Sequence, residues 1–535
     1  MAIHHQKIAL NETALFSKLF IDYINNSSKL SEFIAFENSL ESFKKAIEQR
    51  ENYPVNRNVL ADTITQQYQK NQLLTDSLKS NIALLKEENT FTVCTGHQLC
   101  LFTGPLYFIY KIVTKINLAK QLKVAFPDKN FIPIYWMASE DHDFAEINHL
   151  HIFNKKVEWI KSEHTGEEPV GILSNSGLNE VLSTLSLFWG TSQYAENLKY
   201  LFENSYLKTS NISDATRVLV NEIFKETNLL ILDPNDTNLK ALFVPYMQKD
   251  LQEHVAYKNV ITTIEKLERL GYKSQVHPRE INLFYFESNK RKRVIENPDG
   301  TFQLFNSDKT FSKEELLNDL KNNPEKFSPN VILRPLYQQV VLPNLAYVGG
   351  PGELAYWLEY KSFFDTEKVF YPILTPRNFA CIIDFRTQQL IQKTALPEKY
   401  LFASEDDKIK YFIQHAANLP DTENLKNELK KIFSQLFYEV EKIDKTLVPF
   451  AQAELQKSLK SVDAIKQKLE RALKQKNENS INQIRKIHEK IFPNGILQER
   501  HENFSSVYLS EGEGFINYLL ENFDAFSKEM YLIKI

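Results

Sequence analysis

Apolar residues fall along this chain in short continuous runs, in steps of three and four, and in alternation. Each pattern predicts a different element. From Phe91 the sequence reads FTVCTGHQLCLFTGPLYFIYKIVTKINLAKQL and, after a short loop, FIPIYWMASEDHDFAEI. The first run ends in Thr95-Gly96-His97-Gln98 and the second in Glu140-Asp141-His142-Asp143. Short apolar runs closed by polar clusters predict buried strands. Between them Gly104-Pro105 breaks the loop, and proline suits a first helical turn. Tyr107, Ile109, Tyr110, Ile112, Val113, Ile116 and Leu118 then give a helix a broad apolar face, with Lys111, Lys115 and Lys120 as solvated or site-facing charges. The expected unit is strand, helix, strand, with a site at its carboxyl edge, where open α/β sheets place ligands.

The rest of the chain follows the same logic. Steps of three and four make residues 1–90 mostly helical. Residues 148–285 are mixed: NHLHIF and VEWIKS read as strands, Leu178 to Phe224 as helices, NLLILDPND (228–236) as a buried strand with a polar end, and His254 to Leu270 as a helix. INLFYFES and KRVIE read as a hairpin. The basic run Asn289-Lys290-Arg291-Lys292-Arg293 is expected at its turn, solvated, with phosphate contact as the alternative. A second strand–turn–helix block spans 330–379. There a helix opens at Arg334-Pro335, a strand covers Leu345 to Val348, and Gly349-Gly350-Pro351-Gly352-Glu353 makes a tight loop before a helix. VFYPILTPRNF then ends a strand in Thr375-Pro376-Arg377.

After about residue 385 three stripes appear. Leu425, Leu429, Ile432, Leu436, Val440, Ile443 and Leu447 form the first, and Leu455, Leu459, Val462, Ile465, Leu469 and Leu473 the second. Ile481, Ile484, Ile487 and Ile491 form the third. These are long antiparallel helices or a short coiled coil, and Pro449 is expected to kink them between the first two stripes. The organisation expected is an α/β core over 1–384, with a helical part at 1–90 and insertions within 148–330. A coiled-coil domain at 385–492 and a return to the core at 493–535 complete it.

Totals narrow the class. A length of 535 residues suggests two to four domains. A net charge of -4 gives no reason to expect nucleic acid or a membrane surface as partner. No apolar run has the ~20 residues of a membrane span, and the opening MAIHHQKIALNETALF has no signal-peptide pattern. Cys94, Cys100 and Cys381 make no disulfide framework, so a reducing cytoplasm is expected. Neither a Walker A motif nor G-x-G-x-x-G is present.

The polar strand ends carry the candidate chemistry. Gly96 lets backbone approach a ligand, a following helix N-terminus suits phosphate or carboxylate, and His97 can donate to developing charge. A structural turn with a satisfied histidine is the competing reading. In an extended Glu140–Asp143, Asp141 and Asp143 share one side and Glu140 and His142 the other. Such carboxylates give an acid/base pair or a hard-cation site; a capping and salt-bridge cluster is the alternative. Zinc would need further ligands such as His149 and His151, and the cysteines lack zinc-finger spacing, so no metal ligand is assigned. Arg334 and Arg377 can clamp anions bidentately or form surface ion pairs. Cys94 and Cys100 read as buried filler.

Taken together, TGHQ, TGPLYFIYKI, IPIYWMASEDHDFAEI, SPNVILRPLYQQVVLPNLAYVGGPGELAYW and LTPRNF resemble the bacillithiol biosynthesis cysteine-adding enzyme family, BshC. The likeness covers nearly the whole chain, including the LQER return at 497–500. It implies a Rossmann-like core of the nucleotidylyltransferase and class I aminoacyl-tRNA synthetase type, with connecting insertions and an α-helical coiled coil that mediates a homodimer. The implied reaction joins L-cysteine to the amino group of glucosaminyl malate, the last step to bacillithiol. TGHQ would stand in place of the superfamily's histidine signature; its lysine-rich signature has no located counterpart. Cysteine's carboxylate must be activated, as adenylate or acyl phosphate. ATP or another adenine nucleotide, with Mg2+ as companion ion, is therefore expected.

The roles expected under this resemblance follow. His97 and the helix start at Gly104 and Tyr107 stabilise phosphate. Asp141 or Asp143 positions or deprotonates the amine, and Arg334 and Arg377 hold substrate carboxylates. Gly349, Gly350, Gly352 and Glu353 make close backbone contact. Thr95, Gly96, Gln98, Lys111, Glu140 and His142 complete the substrate- or nucleotide-binding set. The rivals are a nucleotidyltransferase acting on another small substrate and a nucleotide-binding coiled-coil scaffold.

Overall fold

Five of the apolar runs form a single parallel sheet. The computed structural model describes residues 3–161, 166–415 and 419–535; the expectations that touch Met1, Ala2 and Ser162 lie outside them. The sheet strands are β1 (Thr90–His97), β2 (Asn130–Met137), β3 (Leu230–Leu232), β4 (Asn344–Gly349) and β5 (Ile373–Pro376). Their order is β5-β4-β1-β2-β3, with every neighbouring pair parallel. Read from the other edge this is 3-2-1-4-5, the doubly wound order. β1 is buried from Thr90 to Gly96, which explains its unbroken apolar reading, since strands covered on both faces lose alternation. Helix α1 (Tyr107–Ala125) crosses from β1 to β2 and packs on both. Lys115 on α1 is fully buried and faces the Tyr135 ring at 5.8 Å. That corrects its reading as a solvated or site-facing charge.

The N-terminal region is helical from Lys18 but opens with a strand, His4–Ala9. That strand pairs antiparallel with the last strand, Glu529–Lys534, which runs parallel to Phe379–Ile383. The tail therefore returns to the core by pairing with the chain's beginning. The boundary expected at 384/385 falls between Phe379–Ile383 and the helix Phe385–Thr394.

The insertion carries its own antiparallel sheet. Its central hairpin joins Leu283–Glu287 to Lys290–Glu296 through Ser288 and Asn289, both at positive φ (48° and 65°). Two such residues make the tight turn that matches strand twist. Lys290–Arg293 therefore belongs to a strand, not to the turn, and Arg291 lies opposite Phe286.

Helix α2 (Leu333–Val341) and helix α3 (Pro351–Leu358) flank β4. Beyond the core, α4 (Thr422–Ile443) and α5 (Val448–Lys476) make an antiparallel hairpin, with Lys426 of α4 bonded to Asp463 of α5 at 2.5 Å. Pro449 sits in the first turn of α5, where its missing N–H costs nothing; the expected kink is instead a helix start. Helix α6 (Glu478–Ile491) buries Ile481, Ile484, Ile487 and Ile491. Much of the first stripe stays exposed, with Ile432 at 60% and Ile443 at 84%. Among the described residues no helix is long and apolar enough to cross a membrane.

Candidate active site

The crossovers from β1 and from β3 leave in opposite directions, so a crevice opens at the carboxyl ends of β1 and β4. It widens into a cavity of about 1210 Å³. Gly96 and His97 at the end of β1 reach it. A Cβ on Gly96 would lie 3.0 Å from Arg334 Nη1, so glycine here lets the guanidinium rest on the strand.

The loop after His97 is unusual. Phe102, Thr103 and Gly104 all have positive φ (46°, 71° and 64°). A Cβ on Gly104 would lie 2.7 Å from Cys100 Cβ. Asn503, in the C-terminal return, holds the loop by donating to the Phe102 carbonyl (2.8 Å) and the Gly104 carbonyl (2.6 Å). Gly104 thus shapes the turn and does not line the cavity, which corrects its assignment to ligand contact.

Lys111 on α1 is buried and donates to the Gly96 carbonyl (2.6 Å) and to Glu353 Oε1 (2.8 Å). Glu353 also accepts from the Tyr347 hydroxyl (2.6 Å) and from Gly350 N–H (2.9 Å), which satisfies the amide at the N-terminus of α3. The 349–353 loop is therefore a helix start locked to β1 by an ion pair. Burial works to raise the Glu353 carboxyl, but Lys111, Gly350 N–H and Tyr347 outweigh it and hold it below its ordinary value. Gly350 and Gly352 line the cavity. Gly349 is outside the lining, pressed against Leu354 and Tyr347. Thr95 also lies behind it, its hydroxyl bridging to the Val348 carbonyl at 2.6 Å.

Burial, aided by Lys111, pushes the His97 imidazole down to about 3. It is a neutral ring at physiological pH, packed edge-on to Tyr107 with centroids 5.4 Å apart. Its Nε2 lies 3.9 Å from Cys100 Sγ. Burial pushes the Cys94 and Cys100 thiols up to about 12, so neither is a thiolate.

Glu140 ends a turn and Asp141–Asp143 form a loop rather than a strand, and the four side chains separate. Glu140 accepts from buried Lys240 at 2.5 Å. Asp141 accepts from Gln98 Nε2 (2.9 Å) through Oδ2 and from His142 N–H (2.8 Å) through Oδ1. His142 Nδ1 meets Arg291 Nη1 at 3.2 Å. Asp143 accepts from Glu146 N–H (3.2 Å) and caps the short helix Phe144–Ile147, outside the cavity lining. The expected pairing of Asp141 with Asp143 is therefore corrected: local capping takes Asp143, and Asp141 stands with His142.

The two arginines also differ. Asn330 caps the start of α2 and so places Arg334, which donates to neutral partners, Gln338 Oε1 (3.4 Å) and the Tyr356 hydroxyl (3.2 Å). Arg377 touches the cavity but is buried and bidentate to Glu499 (2.5 and 3.1 Å). Its charge holds the C-terminal return, so it is not a free clamp. Arg500, one residue beyond Glu499 on the short helix Gln498–His501, extends over the Tyr107 ring at 5.6 Å and lines the cavity instead. Arg500, Arg291, Tyr347 and Tyr356 were missed as cavity residues. Alternation signals Arg291 once the hairpin turn is placed at 288–289; Arg500 lies in the noted LQER segment. Among the described residues no three His, Cys, Asp or Glu side chains gather as a metal site.

A crevice at the switch point of a doubly wound sheet, beside a long helical hairpin, defines a Rossmann-like α/β protein with a coiled-coil extension. The family model described as "Bacillithiol biosynthesis BshC, N-terminal Rossmann-like domain" matches residues 3–378, and "Bacillithiol biosynthesis BshC, C-terminal coiled-coil domain" matches 380–535. The chain belongs to the bacillithiol biosynthesis BshC family. Among its relatives, the Flavobacterium johnsoniae protein is 42% identical over 99% of this chain and 99% of its own length. That of Christiangramia forsetii is 41% identical over 97% and 96%, and that of Flavobacterium psychrophilum 42% over 98% and 99%. All three bear the name "Putative cysteine ligase BshC".

Proposed function

We propose that this chain is a cytoplasmic cysteine ligase that joins L-cysteine to the amino group of glucosaminyl malate, completing bacillithiol. One observation carries the reading. The family's separate strand-end motifs converge on one cavity of about 1210 Å³, above the ~300–1,000 Å³ of a typical small-molecule site. That leaves room for an amino acid, an amino sugar and an activating group together.

The chemistry assigned to the residues follows their geometry. Neutral His97 donates an N–H to oxygen on the activated carboxylate. Lys111 and Glu353 fix the ends of β1 and β4, so that backbone at Gly96, Gly350 and Gly352 meets the ligand closely. Arg334 and Arg500 form no carboxylate ion pair among the described residues and hold the malate carboxylates. Asp141 accepts the proton of the attacking amine. If bound beside His97, ATP or another adenine nucleotide would supply activation of the cysteine carboxylate, with AMP or phosphate leaving as the amide bond forms. Mg2+ would be held by Asp141 together with nucleotide phosphates, because the cavity's Glu140, Glu167 and Glu353 are paired with Lys240, Lys290 and Lys111. The exposed stripe of α4 and α5 pairs two copies into a homodimer.

The test is to incubate the protein with cysteine, glucosaminyl malate and ATP and follow products by mass spectrometry. Bacillithiol with stoichiometric AMP or ADP is expected. Bacillithiol without nucleotide turnover overturns the activation step; nucleotide turnover with no bacillithiol favours a nucleotidyltransferase of another substrate.

A further inference from the structure

His142 lines the same cavity as His97, with one ring nitrogen already committed. Its Nδ1 meets Arg291 Nη1 at 3.2 Å. A guanidinium nitrogen only donates, so Nδ1 is the acceptor and a neutral ring carries its proton on Nε2. Arg291 has little freedom to move. Its Nε donates to Ser328 Oγ (3.0 Å), its Nη2 to the Pro329 carbonyl (3.0 Å), and its plane lies 3.9 Å over the Phe284 ring. Only 8% of its side chain is exposed.

Among the described residues Arg291 is the nearest polar partner of that nitrogen. Asp141 Oδ1 is 3.8 Å from Nδ1 and already accepts from the His142 amide, while Oδ2 accepts from Gln98. Burial and Arg291 disfavour the charged ring; Asp141, Asp143 and Glu167 favour it, and the balance lowers its pKa. His142 lines the cavity with about a third of its side chain exposed, and Nε2 is the nitrogen left for a ligand.

We infer that His142 serves the cavity as a neutral hydrogen-bond donor through Nε2–H, in a tautomer fixed by Arg291, to a carbonyl, carboxylate or phosphoryl oxygen of the substrate. Arg291 is then a positioning residue, acting through His142, and its Nη1 also pairs with Asp141 Oδ1 at 3.8 Å. His142 is not the base, which leaves proton acceptance to Asp141. The identity of the oxygen rests on the ligase reading; the tautomer does not.

The experiment uses full-length protein labelled with 15N in its 12 histidines, with His142 assigned by its loss from the H142Q spectrum. Solid-state spectra of sedimented protein near neutral pH are expected to show His142 protonated at Nε2 and bare at Nδ1. R291Q should mix the tautomers and raise the titration midpoint, because it removes a charge that disfavours the protonated ring. R291K, which keeps a cationic donor, should preserve the tautomer and controls for folding. In the cysteine-adding assay H142Q, whose amide nitrogen reaches the Nε2 position, should keep activity within about tenfold, whereas H142N and H142A lose about 10²-fold. A proton on Nδ1 in the parent protein, a midpoint unmoved by R291Q, or H142N outperforming H142Q overturns the inference. The spectra decide the tautomer whether or not cysteine turns over, so failure of the ligase reading is seen separately.

Discussion

Replacing Lys111 with methionine tests the lock between β1 and β4. The lysine side chain is 2% exposed and its partner Glu353 25%. Methionine leaves Glu353 with only Tyr347 and Gly350 N–H, and leaves the Gly96 carbonyl without its 2.6 Å donor. Breaking a buried pair from one side costs about 3–5 kcal/mol, and the partial exposure of Glu353 favours the lower end. Unfolding entropy near 2.1 cal/mol/K per residue over 535 residues makes 1 kcal/mol worth roughly 1 °C. The main calorimetric transition should therefore fall by about 3 °C in K111M. The double variant K111M/E353Q removes both charges and should recover part of that loss, with a coupling of at least about 1 kcal/mol. The pH dependence has a fixed sign. Because the Glu353 carboxyl is held below its ordinary value, its contribution is present above the unfolded carboxyl pKa of about 4.3 and lost as pH falls through the folded value. K111M should thus unfold at higher pH on the acid side. Melting within about 1 °C of the parent, or single effects that simply add, would refute the lock.

Four further outcomes are expected. H97A should lower turnover by at least about 10²-fold in a folded protein; near-normal turnover removes the role given to His97. With His97 pushed down to about 3, the unfolded chain takes up a proton that the folded one refuses between that value and about 6.5. Stability is therefore lost on acidification through this window, and H97Q should flatten the slope in denaturant titrations; an unchanged slope contradicts the burial. R334M should raise KM for the carboxylate-bearing amino sugar by about tenfold or more with little change in stability, whereas R377M should cost about 3–5 kcal/mol by stranding buried Glu499; the reverse pattern would exchange their roles. The pair I432E/I443E should sediment as a monomer with the core intact, and a dimer of unchanged affinity would place the contact elsewhere.

The parallel strands were legible because burial on both sides writes them as apolar runs, as in Thr90–Gly96. The three helical stripes were legible from their steps of three and four; Ile481, Ile484, Ile487 and Ile491 are buried, whereas much of the first stripe is exposed. The pairing of His4–Ala9 with Glu529–Lys534 was not legible: partners more than 500 residues apart leave no local signal. Side-chain commitment was equally hidden. Arg334 and Arg377 read alike as anion clamps, yet Arg377 meets Glu499, 122 positions away. Asp141 and Asp143 read alike as carboxylates at a strand end, yet a short helix takes Asp143 as its cap.

By itself, the sequence determined which residue types stand at the ends of the strands, because local patterning sets strand, turn and helix. Tertiary structure decided which of those side chains remain free to act. That choice depends on partners supplied by distant segments: Glu353 for Lys111, Glu499 for Arg377, Arg291 for His142. Ion pairs and hydrogen bonds act over a few ångströms in space, and only the folded chain sets those distances.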